Sequence, residues 1–275
     1  MALVVNTNLF SMTAQKNMAV HSDKLAGSFA KLSSGLRIVS AADDAAGLGI
    51  SERMRAEIRS LQMAQRNAQD GVSLVQTAEG ALGEVSANLI RMRELAVEAA
   101  NGTLSAADRT SLNSEFAALA DEIERVGNDA AFNGINILDG SNTTISIQVG
   151  VDTGQTIDIT TTDMQAVALG VDSGTLDITT TANASAALAA LDTAVDSVVA
   201  QRGAYGAAQN RLSSAMRSIA TAAENLSGAE SRIRDVDVAA ETAELTKNRI
   251  LQQAANSVLA QANTQPQLAL SLLQG

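Results

Sequence analysis

The chain has no cysteine and no tryptophan, and only one histidine, one proline, one tyrosine and four phenylalanines. Without cysteine there is no disulfide, no thiolate nucleophile and no cysteine-based metal site. With His21 alone, no histidine cluster for general base catalysis or metal ligation can form. The near absence of proline leaves room for long uninterrupted helices. The 46% of hydrophobic residues are mostly small and aliphatic, and 2% are aromatic, which suits helices packed closely along their length better than a compact globule. No phosphate-binding loop, dinucleotide fingerprint, zinc-protease motif or calcium loop occurs. The chain reads as a non-enzyme with no cofactor, no metal and no catalytic residue.

Long apolar runs are also missing, so membrane insertion is not expected. The N-terminal stretch Met1-Ala-Leu-Val-Val-Asn-Thr-Asn-Leu-Phe10 lacks the basic start and cleavage site of a secretory signal, so an extracellular location would need another export route. Positive charge is scarce in the middle: residues 101–200 hold two basic and fourteen acidic side chains, which disfavours nucleic acid as a partner. Residues 1–15 and 250–275 have no ionisable side chain, are rich in Leu, Ala and Val, and are laced with Asn and Gln. Such termini make poor solvated tails, and docking on a partner is the expectation.

What is present is heptad order. From Met54, Leu61, Ala68, Val75, Leu82, Leu89 and Ala96 fall seven apart, and Ala64, Ala78, Val85, Met92 and Ala99 supply the second seam position, Glu57 and Gly71 departing from it. Asn101-Gly102 is a stop. A second seam runs Leu191, Val198, Tyr205, Leu212, Ile219, Leu226 and Ile233, with Ala194, Gln201, Ala208, Ala215, Ala222 and Ala229 between. At 1.5 Å per residue each helix is roughly 69 Å long, and the two pair antiparallel if the chain reverses between them. Ser105-Ala-Ala-Asp108 resembles a capping box before a shorter helix carrying Leu112, Phe116, Leu119, Ile123 and Val126. Asp43-Asp44 reads as helix-start capping, not as a paired-carboxylate site.

Residues 130–182 change character. Asn133-Gly134 and Asp139-Gly140 are turn signals, and Ile145, Ile147, Val149 and Val151 alternate with polar residues, as do Ile157 with Ile159 and Leu176 with Ile178. The reading is short β-hairpins with threonine outermost, around a helical turn near 164–169. Thr160–Thr162 and Thr179–Thr181 are candidates for O-linked glycans. Each terminus also predicts a helix: Met18, Leu25, Phe29 and Leu32 at one end, and Leu251, Ala255, Val258 and Ala262 at the other. These pair into a second coiled coil too weak to stand alone, completed by other copies of the chain. The predicted fold class is mainly α, a long antiparallel coiled-coil rod with a short hairpin segment and paired terminal helices. Its rod seam is led by Leu61, Val75, Leu82, Leu89, Leu191, Val198, Leu212, Ile219 and Leu226.

The motifs at both ends resemble bacterial flagellins. They include Leu32-Ser-Ser-Gly-Leu-Arg-Ile38, Ser40-Ala-Ala-Asp-Asp-Ala-Ala-Gly-Leu-Gly-Ile-Ser51, Gln76-Thr-Ala-Glu-Gly-Ala-Leu82, Arg93-Glu-Leu-Ala-Val-Glu-Ala-Ala-Asn-Gly-Thr103 and Phe132-Asn-Gly134. Near the other end are Gln209-Asn-Arg-Leu212, Glu224-Asn-Leu-Ser227, Leu245-Thr-Lys247 and Leu259-Ala-Gln-Ala-Asn263. The resemblance implies a minimal flagellin: an inner coiled-coil domain from residues 1–42 and 236–275, a rod domain at 43–235, and no outer variable domains. It further implies a homopolymeric filament for swimming motility, exported by the flagellar type III apparatus without a cleaved signal. The implied partners are a secretion chaperone, a filament cap, hook-associated proteins and Toll-like receptor 5, the last meeting Arg91, Leu95 and Glu115. Nearby, Ile90 and Glu98 stand where that motif usually has Gln. The rival readings are a hook–filament junction protein and a cytosolic coiled-coil scaffold.

Overall fold

The computed structural model describes residues 7–274, with side chains up to 265. Five helices and four short strands follow in the order α1 (Leu9–Ser34), α2 (Ala45–Ala99), α3 (Ala106–Asp129), β1 (Ala131–Phe132), β2 (Ile135–Asn136), β3 (Thr144–Gln148), β4 (Thr156–Thr160), α4 (Thr181–Arg234) and α5 (Val238–Gln274). Two compact units divide the chain: Met1–Ala56 with Asn225–Gly275, and Glu57–Glu224.

The unit from 57 to 224 contains the main core. Every α2 seam position from Leu61 to Ala99 is buried, as are Leu191, Ala194, Val198, Gln201, Tyr205, Ala208 and Leu212 of α4. The cross-links show that the two helices run antiparallel: Arg93 meets Asp192 at 2.7 Å and Arg202 meets Glu79 at 3.4 Å. Phe116, Ala120 and Ile123 of α3 and Ile157 and Ile159 of β4 join the same cluster. At Gly71 the hairpin drops a side chain between the helices. A Cβ there would lie 3.1 Å from Ile147 Cγ1 and 3.2 Å from Leu212 Cδ1.

Local signals explain the element ends. Asp44 Oδ1 accepts from Gly47 N at 2.8 Å, so α2 begins at Ala45, well before its apolar heptads do. The α3 capping box forms with Asp108 in the place of the usual Glu. Helix α4 starts ahead of its seam, at Thr181, where the Thr180 hydroxyl accepts from Asn183 N at 3.1 Å. Leu169 N bonds Gln165 O at 3.0 Å, a single helical turn in the expected place.

Two expectations fail. Leu176 and Ile178 form no strand: Ile178 is fully buried and its N–H is taken by Asn113 Oδ1 of α3, leaving no partner strand to pair with. The threonine cluster does not lie wholly outside. Thr161 is buried with its hydroxyl on Asn142 O, and Thr179 is half-buried and donates to Asp177. Thr161 therefore cannot accept a glycan.

The other unit pairs α1 with α5, antiparallel. Asn8 Nδ2 donates to Ala262 O at 2.7 Å and Ser11 Oγ to Asn263 Oδ1 at 2.8 Å. At the opposite end Gly35, left-handed at φ 73° as a helix C-cap, accepts from Val236 N at 3.0 Å, and Leu36 bridges Asp235.

Candidate assembly surfaces

The seam between α1 and α5 follows steps of three and four residues, as two long helices require. On α1 the buried or half-buried positions are Ser11, Ala14, Met18, His21, Leu25, Ser28 and Leu32, with Lys31 beside the last. On α5 they are Glu241, Leu245, Asn248, Gln252, Ala255, Leu259 and Ala262. Polar and small side chains fill more than half of this contact, and His21 Nδ1 is buried in it without a partner among the described residues.

Many large apolar side chains lie outside the seam. Leu9, Phe10, Met12, Val20 and Phe29 on α1, and Val238, Ile250, Leu251 and Val258 on α5, are exposed, Leu9 to 70%. Of the residues expected to make the inner coiled coil, the structure brings Met18, Leu25, Leu32, Ala255 and Ala262 into the seam. It leaves Phe29, Leu251 and Val258 outside. One residue decides the case on α5, where Gln252 and not Leu251 faces inward. Within one chain, the contact of α1 with α5 leaves large apolar side chains of both helices uncovered.

Below α1 and α5, a clasp ties the two chain directions together. Arg37 N donates to Arg234 O at 2.6 Å, the Arg37 guanidinium reaches Ile233 O, and Arg234 Nη1 meets Glu52 Oε1 at 2.6 Å. Hydrogen bonds from Arg234 and Arg55 hold the Glu52 carboxyl below its ordinary range. Residues 182 apart in sequence make this contact, and no local pattern announces it.

In the unit from 57 to 224, the seam residues Leu61, Val75, Leu82, Leu89, Leu191, Val198, Leu212 and Ile219 are all buried. Leu226, which belongs to the other unit, is half-buried. The outer face of α2 carries a shallow groove of about 360 Å³ lined by Ile90, Arg93, Glu94, Val97 and Glu98. Beside it Arg91 binds Glu115 at 2.8 Å and Glu94 at 3.0 Å, and these hydrogen bonds raise its already high pKa. Arg91 and Glu115 are surface groups, whereas Leu95 is fully buried and presents nothing to a partner. Among the described residues no group of three or more His, Cys, Asp or Glu could hold a metal ion. No described helix is long and apolar enough to cross a membrane.

Comparison with known proteins places the chain in a family. The bacterial flagellin N-terminal helical region matches residues 5–143, and the bacterial flagellin C-terminal helical region matches 188–273. This chain belongs to the bacterial flagellin family. A flagellin of Halalkalibacterium halodurans is 47% identical, across 99% of this chain and 100% of its own length. A flagellar filament 30.7 kDa core protein of Treponema maltophilum is 42% identical, over 98% of this chain and all of its own. The crystal structure of a Bacillus cereus flagellin superimposes with a TM-score of 0.51 at 37% identity, covering 56% of this chain and 88% of that one. A putative flagellar hook-associated protein of Vibrio parahaemolyticus, 19% identical, gives 0.59 over 70% of this chain and 100% of its own, a likeness of fold alone. This flagellin is a minimal form, with β3, β4 and the loop into α4 between the two matched regions. It is a structural subunit of the flagellar filament, outside the cell, and not an enzyme.

Proposed function

We propose that this flagellin polymerises through the uncovered apolar faces of α1 and α5, each neighbouring copy burying what the intramolecular seam leaves exposed. The observation that carries this reading is the exposure of Leu9, Phe10, Met12, Val20, Phe29, Val238, Ile250, Leu251 and Val258 on two helices whose mutual contact is half polar. Fully burying a large aliphatic or aromatic side chain is worth about 1.5–3 kcal/mol. Association itself costs about 4–15 kcal/mol, so most of these nine side chains must be covered for assembly to be favourable. The result is an open helical filament built from heterologous contacts, with growth that is cooperative.

In this reading residues 1–42 and 236–275 form the inner coiled-coil domain of the filament, and 43–235 form the rod domain. The groove at Ile90 and Val97 on α2 serves contacts between rod domains. Export proceeds unfolded through the flagellar type III apparatus without a cleaved signal. A secretion chaperone covers the apolar C-terminal helix before export, a cap protein guides insertion, and hook-associated proteins join the filament base. Toll-like receptor 5 recognition would draw on Arg91 and Glu115, with Leu95 supporting the helix from beneath.

Deleting residues 250–275 removes Ile250, Leu251 and Val258 together. The expected product is a soluble monomer by sedimentation, with no filaments in electron micrographs. Normal filaments from this truncation would refute the mechanism.

A further inference from the structure

The sequence contains two Asn-Gly steps, Asn101-Gly102 in the α2–α3 turn and Asn133-Gly134 in the β1–β2 turn. Glycine has no Cβ to keep its backbone nitrogen away from the preceding side-chain amide, so both steps are chemically open to cyclisation. The fold treats them differently. Asn101, Gly102 and Thr103 are all exposed, and Asn101 Oδ1 accepts from Thr103 N at 3.2 Å. That bond folds the amide back over the 101–102 peptide and polarises its carbonyl. The same N–H stands ready to stabilise negative charge developing on Oδ1. Among the described residues Gly102 N–H donates to no backbone acceptor, so using it as a nucleophile breaks no backbone bond.

Asn133 and Gly134 sit instead at φ 50° and 78°, the paired left-handed conformation of a tight hairpin turn, pinned by the Phe132–Ile135 pair. Ring closure needs a backbone torsion at asparagine that this pinned turn resists.

We propose that Asn101 is a site of spontaneous deamidation, protected least by the fold, while Asn133 is held unreactive. After loss of its proton to solvent base, the Gly102 backbone nitrogen forms a bond to Asn101 Cγ. The Cγ–Nδ2 bond breaks, and the amide leaves as ammonia with a proton returned from solvent. Water then opens the succinimide at either carbonyl, giving aspartate or isoaspartate. One water is consumed and one ammonia released, with no change of oxidation state.

The product lands at a sensitive place. Arg109 donates to Ala99 O at 2.8 Å and to Asn101 O at 2.9 Å, closing the C-terminal end of α2. A carboxylate there opposes the helix dipole. An isoaspartate also lengthens the backbone and displaces the carbonyl that Arg109 holds.

The full chain, kept in mildly alkaline buffer for days, is sampled by peptide mapping with mass spectrometry and an isoaspartate assay. The product at Asn101 is expected to accumulate several-fold faster than at Asn133, and G102A to slow it several-fold. In denaturing urea the two sites are expected to converge. Equal rates in the folded chain, a faster Asn133, no response to G102A, or the same ratio in urea as in buffer would each overturn the proposal.

Discussion

Replacing Gly71 and Gly80 with alanine, one at a time, tests whether the hairpin is wedged into the helical core. Both glycines lie in the interior of α2, where alanine is favoured by about 1 kcal/mol on backbone grounds. At Gly80 a Cβ meets nothing within 4 Å, so that gain is expected undiminished. At Gly71 the new methyl arrives 3.1 Å and 3.4 Å from two carbons of Ile147 and 3.2 Å from Leu212 Cδ1. Leu212 is fully buried and Ile147 packs against the same core, so neither has room to swing aside. Overpacking of this kind costs about 1–3 kcal/mol. Offsetting it with the backbone gain leaves G71A near neutral to about 2 kcal/mol destabilised, and roughly 1–3 kcal/mol below G80A. Urea unfolding of the monomeric full chain, followed by circular dichroism, measures the order. Stability should fall from G80A to the parent to G71A. A G71A chain as stable as G80A would mean that Ile147 does not occupy the space between α2 and α4.

Further expectations concern polar groups. Tyr205 is fully buried and, among the described residues, its hydroxyl has Gln201 nearby but makes no hydrogen bond of good geometry, so Y205F should raise stability by about 1 kcal/mol in thermal unfolding. A loss would show that the hydroxyl is satisfied. The carboxyls of Asp192, Asp108, Asp139 and Asp177 are held below 3.8 and that of Glu52 below 4.5, chiefly by hydrogen bonds from neighbouring side chains. Groups with depressed folded-state values stabilise fully above the unfolded value, and that contribution disappears as pH falls through the folded one. Unfolding free energy should therefore be flat near neutrality and decline below about pH 4.5, with D192N showing a shallower decline than the parent. Glu52 is the carboxylate that meets Arg234, whose side chain is 12% exposed. E52Q should raise hydrogen exchange at residues 35–38 and 233–236 while leaving α3 unchanged; uniform loss of protection would contradict a local clasp.

Much of this architecture is legible in one sequence because two long helices repeat the same contact every seven residues. From Leu61 to Ala99 each seam position is buried, including Gly71, which looks like a flaw in the pattern until Ile147 is seen above it. Capping is equally local, and Ser105 with Asp108 gives it away. The alternation at Leu176 and Ile178 misleads because a half-buried loop across α3 can show the same period as a strand. The terminal helices mislead for another reason. Periodicity reveals an apolar face without saying whether the same chain or a neighbour covers it. Phe29, Leu251 and Val258 look like seam residues, yet Ser28 and Gln252 take the inward positions. The clasp of Arg37, Glu52 and Arg234 leaves no periodic trace at all.

The ends of the molecule and its middle answer to different solvents. No charged side chain occurs in residues 1–15 or 250–275, so contacts made there are indifferent to ionic strength apart from the general salting-out of apolar surface. The exposed pairs Arg91–Glu115, Arg93–Asp192 and Arg202–Glu79 lie in the other unit and weaken as salt rises. Raising salt thus weakens polar cross-links of the unit from 57 to 224 and spares the apolar contacts of the chain ends.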